Sequence, residues 1–584
     1  MKLSITFPRA CFLATFVLFP AMAAGASAAD QPDRPAGPSD EGTEAAAEES
    51  QDYLKGNPET IAAWRKLKFG LFVHWGPVSL KGTEIGWSRG GERRGRTGRG
   101  AIPAEVYDNL YKTFNPVEFD ADQWVAIAKA AGMRYMVFTT KHHDGFSMFD
   151  TKLTDYRITS PESPYGRDVV KQLADACHEG GLWWGIYYSP VDWYHPDYRT
   201  ATHAKYIEFL HGQLGELLTN YGRVDIMWFD GLGGSAADWN SPPMFKMIRS
   251  LQPEIIINNR GGLPGDYDTP EQRIGQMQID RPWETCMTIC HQWAWKPDDR
   301  MKSLKDCLQT LVKVVGGDGN LLFNVGPMPD GRIEPRQVER LKEMGEWLAR
   351  YGESIYETRG GPFRRGTWGT ATHKDDKIYL HLLAPERDTV ILPPIEKKIV
   401  SSSVLTGGTV TVKQTDESIE ISVPKADRQE IDTIVVLQLD GPAAEAKPGR
   451  LASGSVAAGK KASASNVYRK MVGEYGPAMA FDDDPETRWA TDVGTPEAWL
   501  EVDLGGPQTV DRAMISESYA YRVEKFELEA KEGDQWNTFA RGSRIGEGCM
   551  VKFDPVTAQS IRLNILEASE GPTIWEFQLF PAKK

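Results

Sequence analysis

From Lys68 onward, for about 300 residues, the chain alternates short apolar runs with amphipathic segments. Lys68–Gly76, Tyr135–Asp144, Trp183–Pro190, Asp225–Asp230, Glu254–Arg260, Glu284–Ile289 and Asn320–Val325 read as strands. Between them, Asp120–Ala131, Asp168–Glu179, His203–Tyr221, Pro243–Leu251 and Ser303–Val315 carry the i, i+3/i+4 apolar spacing of helices. Repetition of βα units on this scale implies a parallel sheet closed on itself, a (β/α)8-like TIM barrel expected over residues 52–356.

Within that alternation, Asp225-Ile-Met-Trp-Phe-Asp-Gly231 is the clearest chemical mark. Its apolar run is too short for a helix and is bounded by Gly222 and Gly231, so it reads as a buried parallel strand with Asp230 at the barrel rim. Taken alone, Asp230 could instead close a turn or cap a helix. Other polar groups at expected strand ends decide for a site: His74, His142 and His143, Arg260, and Glu284 beside Trp283. Glu84 and Trp87, just past the first strand, have the position of substrate contacts.

Adjacent His142 and His143 would face opposite sides of a continuing strand, which disfavours shared chelation of a metal and favours hydrogen bonds to substrate hydroxyls. Two carboxylates remain for acid–base and nucleophilic work, Asp230 and Glu284. Trp283 could raise the pKa of Glu284 by desolvation, and Arg260 could keep Asp230 anionic. Asp144, Asp266, Asp268 and Glu271 lie in or near rim loops, where such residues more often serve as turns or caps.

The rest of the 584 residues bounds the setting. Lys+Arg 67 against Asp+Glu 81 gives a net charge of −14, which disfavours nucleic acid as a partner. The 18 Trp suit stacking on sugar C–H faces, although most will fill cores. Lys2 and Arg9 precede an apolar run and small residues through Ala29, the pattern of a signal peptide over 1–29, so the protein is expected to be exported to the periplasm or beyond. A polar stretch over 30–51 reads as disordered, and no later segment is long enough to form a transmembrane span. Cys177, Cys286, Cys290, Cys307 and Cys549 form no disulfide framework and read as buried thiols. Ser88–Gly100, with five arginines among glycines, reads as a mobile loop at the barrel mouth.

After Tyr356 the texture changes to short alternating segments, an antiparallel β sandwich over 357–440. An Ala/Gly/Pro/Ser-rich linker follows over 441–460, then a second all-β unit over 461–584.

These residues resemble the retaining α-L-fucosidases of glycoside hydrolase family 29. The resemblance spans roughly Ala62 to Leu439 and rests on Phe69-Gly-Leu-Phe-Val-His-Trp-Gly76, Thr83-Glu-Ile-Gly-Trp87, Thr140-Lys-His-His-Asp-Gly-Phe146 and Trp228-Phe-Asp-Gly231. It continues through Asn258-Asn-Arg260, Trp283-Glu-Thr-Cys-Met-Thr288 and Leu322-Phe-Asn-Val-Gly-Pro327. It implies Asp230 as nucleophile, Glu284 as general acid/base, and His74, Glu84, Trp87, His142, His143, Trp228 and Arg260 around fucose, with no cofactor for catalysis. The expected reaction is exo-acting, retaining hydrolysis of terminal α-L-fucose from fucosylated oligosaccharides or glycoconjugates. A related sugar such as α-L-galactose, or a non-catalytic glycan-binding role, is the alternative. The chain departs from the family at Ile289-Cys-His-Gln-Trp-Ala-Trp295, beside the pocket.

The last unit resembles a discoidin-like carbohydrate-binding module of the family 32 type, through Ala480–Trp489, Trp499–Gly505 and Ile574–Phe577. Asp482 and Asp484 with Glu576 either hold a structural calcium or form a solvated acidic turn. The oligomeric state is not set by the sequence.

Overall fold

The computed structural model describes residues 52–582, apart from 276, 386–388, 450–453, 485–486, 519–520 and 547. The expected signal peptide (1–29) and nearly all of the polar stretch (30–51) lie outside the described residues.

Seven parallel strands form one sheet: β1 Phe69–Val73, β2 Tyr135–Lys141, β3 Trp183–Tyr188, β4 Ile226–Phe229, β5 Ile256–Ile257, β6 Glu284–Thr288 and β7 Asn320–Val325. Their order is β5-β4-β3-β2-β1-β7-β6, with in-register pairs such as Phe72↔Val137 and Phe72↔Asn324. Crossover helices cover the outside, among them Ala121–Ala130, Val169–Gly180, His203–Asn220 and Leu304–Gly316. Their starts are encoded locally. Asp120 and Asp168 accept the backbone N–H three residues on, and Ser303 with Asp306 forms a reciprocal capping box.

Residues alternate along each strand. Phe69, Leu71 and Val73 face the helices, while Phe72 joins Tyr135, Tyr187, Ile226, Trp228, Cys286 and Leu322 inside the barrel. The interior is therefore a packed core, and chemistry is confined to its rim.

Closure between β5 and β6 is irregular. Instead of the strand expected over Glu254–Arg260, regular pairing stops at Ile257. There the Asn258 side chain replaces the backbone: its Oδ1 accepts Phe229 N–H and its Nδ2 donates to Phe229 O, both at 2.9 Å. Residues 266–272 fill the eighth position through isolated parallel bridges, Asn258↔Tyr267, Asp268↔Trp283 and Glu271↔Cys286. Pro270 has no N–H to donate, which keeps this stave from becoming a regular strand.

A five-stranded antiparallel sheet and a three-stranded one then pack around Leu380, Ile421, Val435 and Leu437. The stretch expected to be a linker, 441–460, is partly built in: Ala443 and Ala446 are buried in this core, and Val456 N–H donates to Leu579 O of the last unit. That unit is an antiparallel assembly around Trp489, Leu500, Ile515, Leu563 and Phe577, with the long strands Ala498–Glu517 and Cys549–Ala568 paired at its centre. No described helix is long and apolar enough to cross a membrane.

Candidate active site

The site is assembled at the C-terminal rim, from the inward positions of β1 to β4 and from the irregular stave. Asp230 follows the last residue of β4, one turn of the strand period beyond Trp228. One carboxylate oxygen accepts the Tyr187 hydroxyl at 3.0 Å and lies 3.4 Å from His143 Nε2; the other accepts Arg260 Nη1 at 3.2 Å. Burial pushes this carboxyl up, but His143, Arg260 and the Tyr187 hydrogen bond outweigh it and hold Asp230 below the usual carboxylate value. His143 itself is driven to about 4 by burial, so near neutral pH its ring is uncharged and Arg260 is the cation acting on Asp230.

Arg260 is in turn fixed from three sides. Its Nε and Nη2 donate to Thr269 Oγ1 and O, both at 2.8 Å, and its guanidinium lies 4.8 Å from the Trp228 ring centroid. The same Nη1 that reaches Asp230 also donates to Glu271 at 2.8 Å. Asp230 and Glu271 thus share one nitrogen, and both line the pocket.

The histidines form a second wall. His74 Nδ1 donates to Asn324 Oδ1 at 2.6 Å, which leaves Nε2 as an acceptor; burial lowers its pKa to about 4. His142 stacks on Tyr187 at 5.4 Å and is held neutral by burial. Its ring is 4.1 Å from that of His143, so the expectation that the pair would diverge is overturned. β2 ends at Lys141, and the turn that follows does not continue the strand alternation. The nearest donor atoms of His142, His143 and Asp230 lie within 4.8 Å of one another. Gly86, at φ +66°, is required beside them, because a Cβ there would come within 2.7 Å of His142 Nδ1.

Trp87, Tyr187, Leu232, Trp228 and Trp293 complete the lining. Trp87 meets His143 edge to face at 5.6 Å and Trp193 at 5.2 Å. Tyr187, Glu271, Leu232 and Trp293 were not singled out from the sequence as sugar contacts; Tyr187 alone had a usable signal, as an inward position on a predicted strand.

Two expectations are corrected. Glu284 is the first residue of β6, at the opposite end from the rim, and is completely buried. It accepts Tyr135 Oη at 2.5 Å and Trp228 Nε1 at 3.1 Å, so it braces the pocket floor from below and does not line the pocket. Glu84 accepts the backbone N–H groups of Trp293 and Ala294 at 3.0 Å each, which positions Trp293 instead of gripping a sugar. Among the other rim carboxylates, Asp144 accepts the Tyr107 hydroxyl, Asp266 holds Arg249 and Ile257 N–H, and Asp268 holds Arg281.

Burial raises the Glu284 carboxyl from 4.5 to about 7 against the pull of its two hydrogen bonds. A raised carboxyl contributes stability that is complete below about 4.5 and is lost as pH rises through about 7. Barrel stability is therefore expected to fall by roughly 3 kcal/mol between pH 5 and 8, and Glu284→Gln to flatten that slope. Urea midpoints across the range measure it; an unchanged slope in the variant would refute the assignment.

The loop 88–100 is anchored, contrary to the expectation of mobility. Arg89 pairs with Asp108 at 2.6 Å, Arg94 donates to His195 O and Pro196 O, and Arg96 donates to Leu232 O. Cys177, Cys286, Cys290 and Cys307 are buried free thiols, as expected; Cys549 is free and half-buried.

A barrel rim that pairs two carboxylates within an aromatic pocket defines a glycoside hydrolase. The chain belongs to the alpha-L-fucosidase family, whose model matches residues 40–353; an F5/8 type C domain matches 461–577. It is 31% identical over 360 residues to human plasma alpha-L-fucosidase, covering 55% of this chain and 75% of that one. Alpha-L-fucosidase isoenzyme 1 from Paenibacillus thiaminolyticus superposes with a TM-score of 0.60 at 34% identity, over 65% of this chain and 99% of that one. A Bacteroides thetaiotaomicron alpha-L-fucosidase, a trapped covalent intermediate with 2-fluoro-fucosyl fluoride in a Glu→Gln mutant, superposes at 0.58 with 28% identity, over 66% and 97%.

Proposed function

We propose that the protein is an exo-acting, retaining α-L-fucosidase in which Asp230 is the nucleophile and Glu271 the general acid/base. The observation that carries this is the shared Arg260 nitrogen. It holds the two bonded carboxylate oxygens no more than about 6 Å apart, in keeping with the roughly 5 to 5.5 Å between carboxyl groups that a retaining glycosidase uses. The covalent intermediate trapped in the Bacteroides relative supports the same double displacement.

In the first step, ionised Asp230 attacks the anomeric carbon and Glu271 protonates the departing oxygen. Negative charge leaves Asp230 as the ester forms. In the second step, Glu271 takes a proton from water, which displaces the sugar from Asp230. His74 Nε2 accepts from a ring hydroxyl, and the indoles of Trp87 and Trp293 meet apolar sugar faces. Release of p-nitrophenol from p-nitrophenyl α-L-fucoside, with the anomer of the first-formed sugar read by NMR and a chelator in a parallel arm, tests the reading. A β-configured first product, or loss of turnover to the chelator, would sink it.

For the C-terminal domain we propose a structural calcium. The Thr487 hydroxyl lies 2.8 Å from both Asp482 oxygens and 3.1 Å from Met479 O and Asp484 O, and its single proton can serve one of these acceptors at a time. Both Glu576 oxygens are buried, and burial followed by repulsion from Asp483 and Asp482 pushes the carboxyl to about 8 against a backbone N–H contact from Asp484. A hard cation shared by Glu576 and the Asp482–Asp484 carboxylates would relieve that repulsion. Calcium at about 100-fold over its Kd is expected to stabilise this domain by about 2.7 kcal/mol. Thermal melts of the full chain with calcium or EGTA measure it, and Glu576→Gln is expected to erase the difference; identical melts in both would dismiss the site.

A further inference from the structure

Accepting the fucosidase reading, the neighbouring subsite also has a chemical character. We propose that the rim beside Trp87 and Leu232 binds an anionic group, a sulfate ester or a carboxylate, on the sugar to which the fucose is attached. The loop 88–100 supplies Arg89, Arg93, Arg94, Arg96 and Arg99 with Glu92 as its one acid. Arg89 is neutralised by Asp108, but the others are not: among the described residues none of them lies within 4.0 Å of a carboxylate.

What holds these arginines is instead uncharged. Arg93 stacks between Trp87 and Trp193, 5.3 and 5.2 Å from the ring centroids, and donates to Trp87 O. Arg94 donates to two backbone carbonyls and Arg96 to Leu232 O. Carbonyl partners fix a guanidinium without cancelling its charge, and each fork keeps unused N–H donors. Trp87 and Leu232 are both walls of the fucose pocket, so Arg93 and Arg96 stand at its mouth. Arg96 is exposed, and its charge reaches inward far enough to help keep His143 neutral.

The mouth is also lined by Glu271, paired with Arg260, and by Trp293. An aglycone held at this mouth therefore meets a rim that carries the Arg93 and Arg96 guanidiniums. In a chain of net charge −14, such a rim is a local construction and not a by-product of a basic protein. Planar guanidinium forks match the oxygens of sulfate and carboxylate alike.

The test compares three fucosides that differ on the penultimate sugar: unsubstituted, bearing one sulfate ester, and bearing one carboxylate. At low salt, at least one charged substrate is expected to show a kcat/KM about tenfold above the neutral one, with the advantage shrinking to about twofold in 0.5 M sodium chloride. Arg96→Ala and Arg99→Ala are each expected to reduce that ratio, and Arg96→Glu to invert it. Which charged substrate gains identifies the group. Equal rates for all three, or a ratio indifferent to salt and to the variants, would overturn the proposal. The same three compounds are titrated into Asp230→Ala by calorimetry. If wild type cleaves none of them, the fucosidase reading fails; the binding ratio then still decides the subsite.

Discussion

Asp230→Ala is expected to lower turnover of p-nitrophenyl α-L-fucoside by about 10⁴-fold or more, the scale on which loss of a covalent nucleophile acts. Asp230 is the rim carboxylate held ionised by Arg260 and Tyr187, so no neighbour can replace its attack. The alanine leaves a space beside the Arg260 guanidinium, which has lost one of its two carboxylate partners, and a small anion can enter it. Added azide should then attack the anomeric carbon from the vacated face and give β-fucosyl azide, the inverted product. Fucose should still bind, because the histidine and tryptophan walls are untouched. Residual activity within tenfold of wild type would remove Asp230 from the mechanism.

Glu271→Ala is expected to cost about 10²- to 10⁴-fold on substrates with poor leaving groups and much less on activated ones, because departure of an activated group needs little protonation. Azide should accelerate this variant too, but through the glycosyl-enzyme, so the product is α-fucosyl azide. The two opposite stereochemistries separate nucleophile from acid/base in one experiment. Glu284→Gln provides the contrast. Glu284 reaches the pocket through the Trp228 indole, so its loss should shift KM and kcat modestly and show no azide product. Azide rescue in Glu284→Gln, with none in Glu271→Ala, would reverse the assignment.

The barrel was legible because each βα unit writes its own period: alternation on the strands, i, i+3/i+4 spacing and Asp or Ser caps on the helices. Asp230 was legible for the same reason, since an inward strand position followed by glycine can hardly face elsewhere. Glu284 was misread because an apolar–acidic boundary marks a strand's beginning as readily as its end. The direction of that boundary depends on Asp268 and Pro270 pairing with β6, contacts between segments that carry no shared pattern. His142 and His143 were misplaced by three further residues of assumed strand, 142–144. Glu84 could not be recognised as a brace, because its partners are backbone N–H groups 209 and 210 residues away. Glu271 sits on a stave with neither alternation nor a continuous ladder, so nothing local marks it.

That loosely stitched stave divides the machinery into two parts with different freedom to drift. Asp230 is anchored to β4, a strand paired on both sides, whose register cannot slip by one residue without turning its inward side chains outward. Glu271 hangs on a strap fastened at three points, where an inserted or deleted residue could be absorbed between fastenings. The attacking group would stay put while the proton donor moved to meet leaving groups of another shape. Descendants of such a chain could thus change the bond they cut by re-tailoring a strap, with the strands beneath it left as they are.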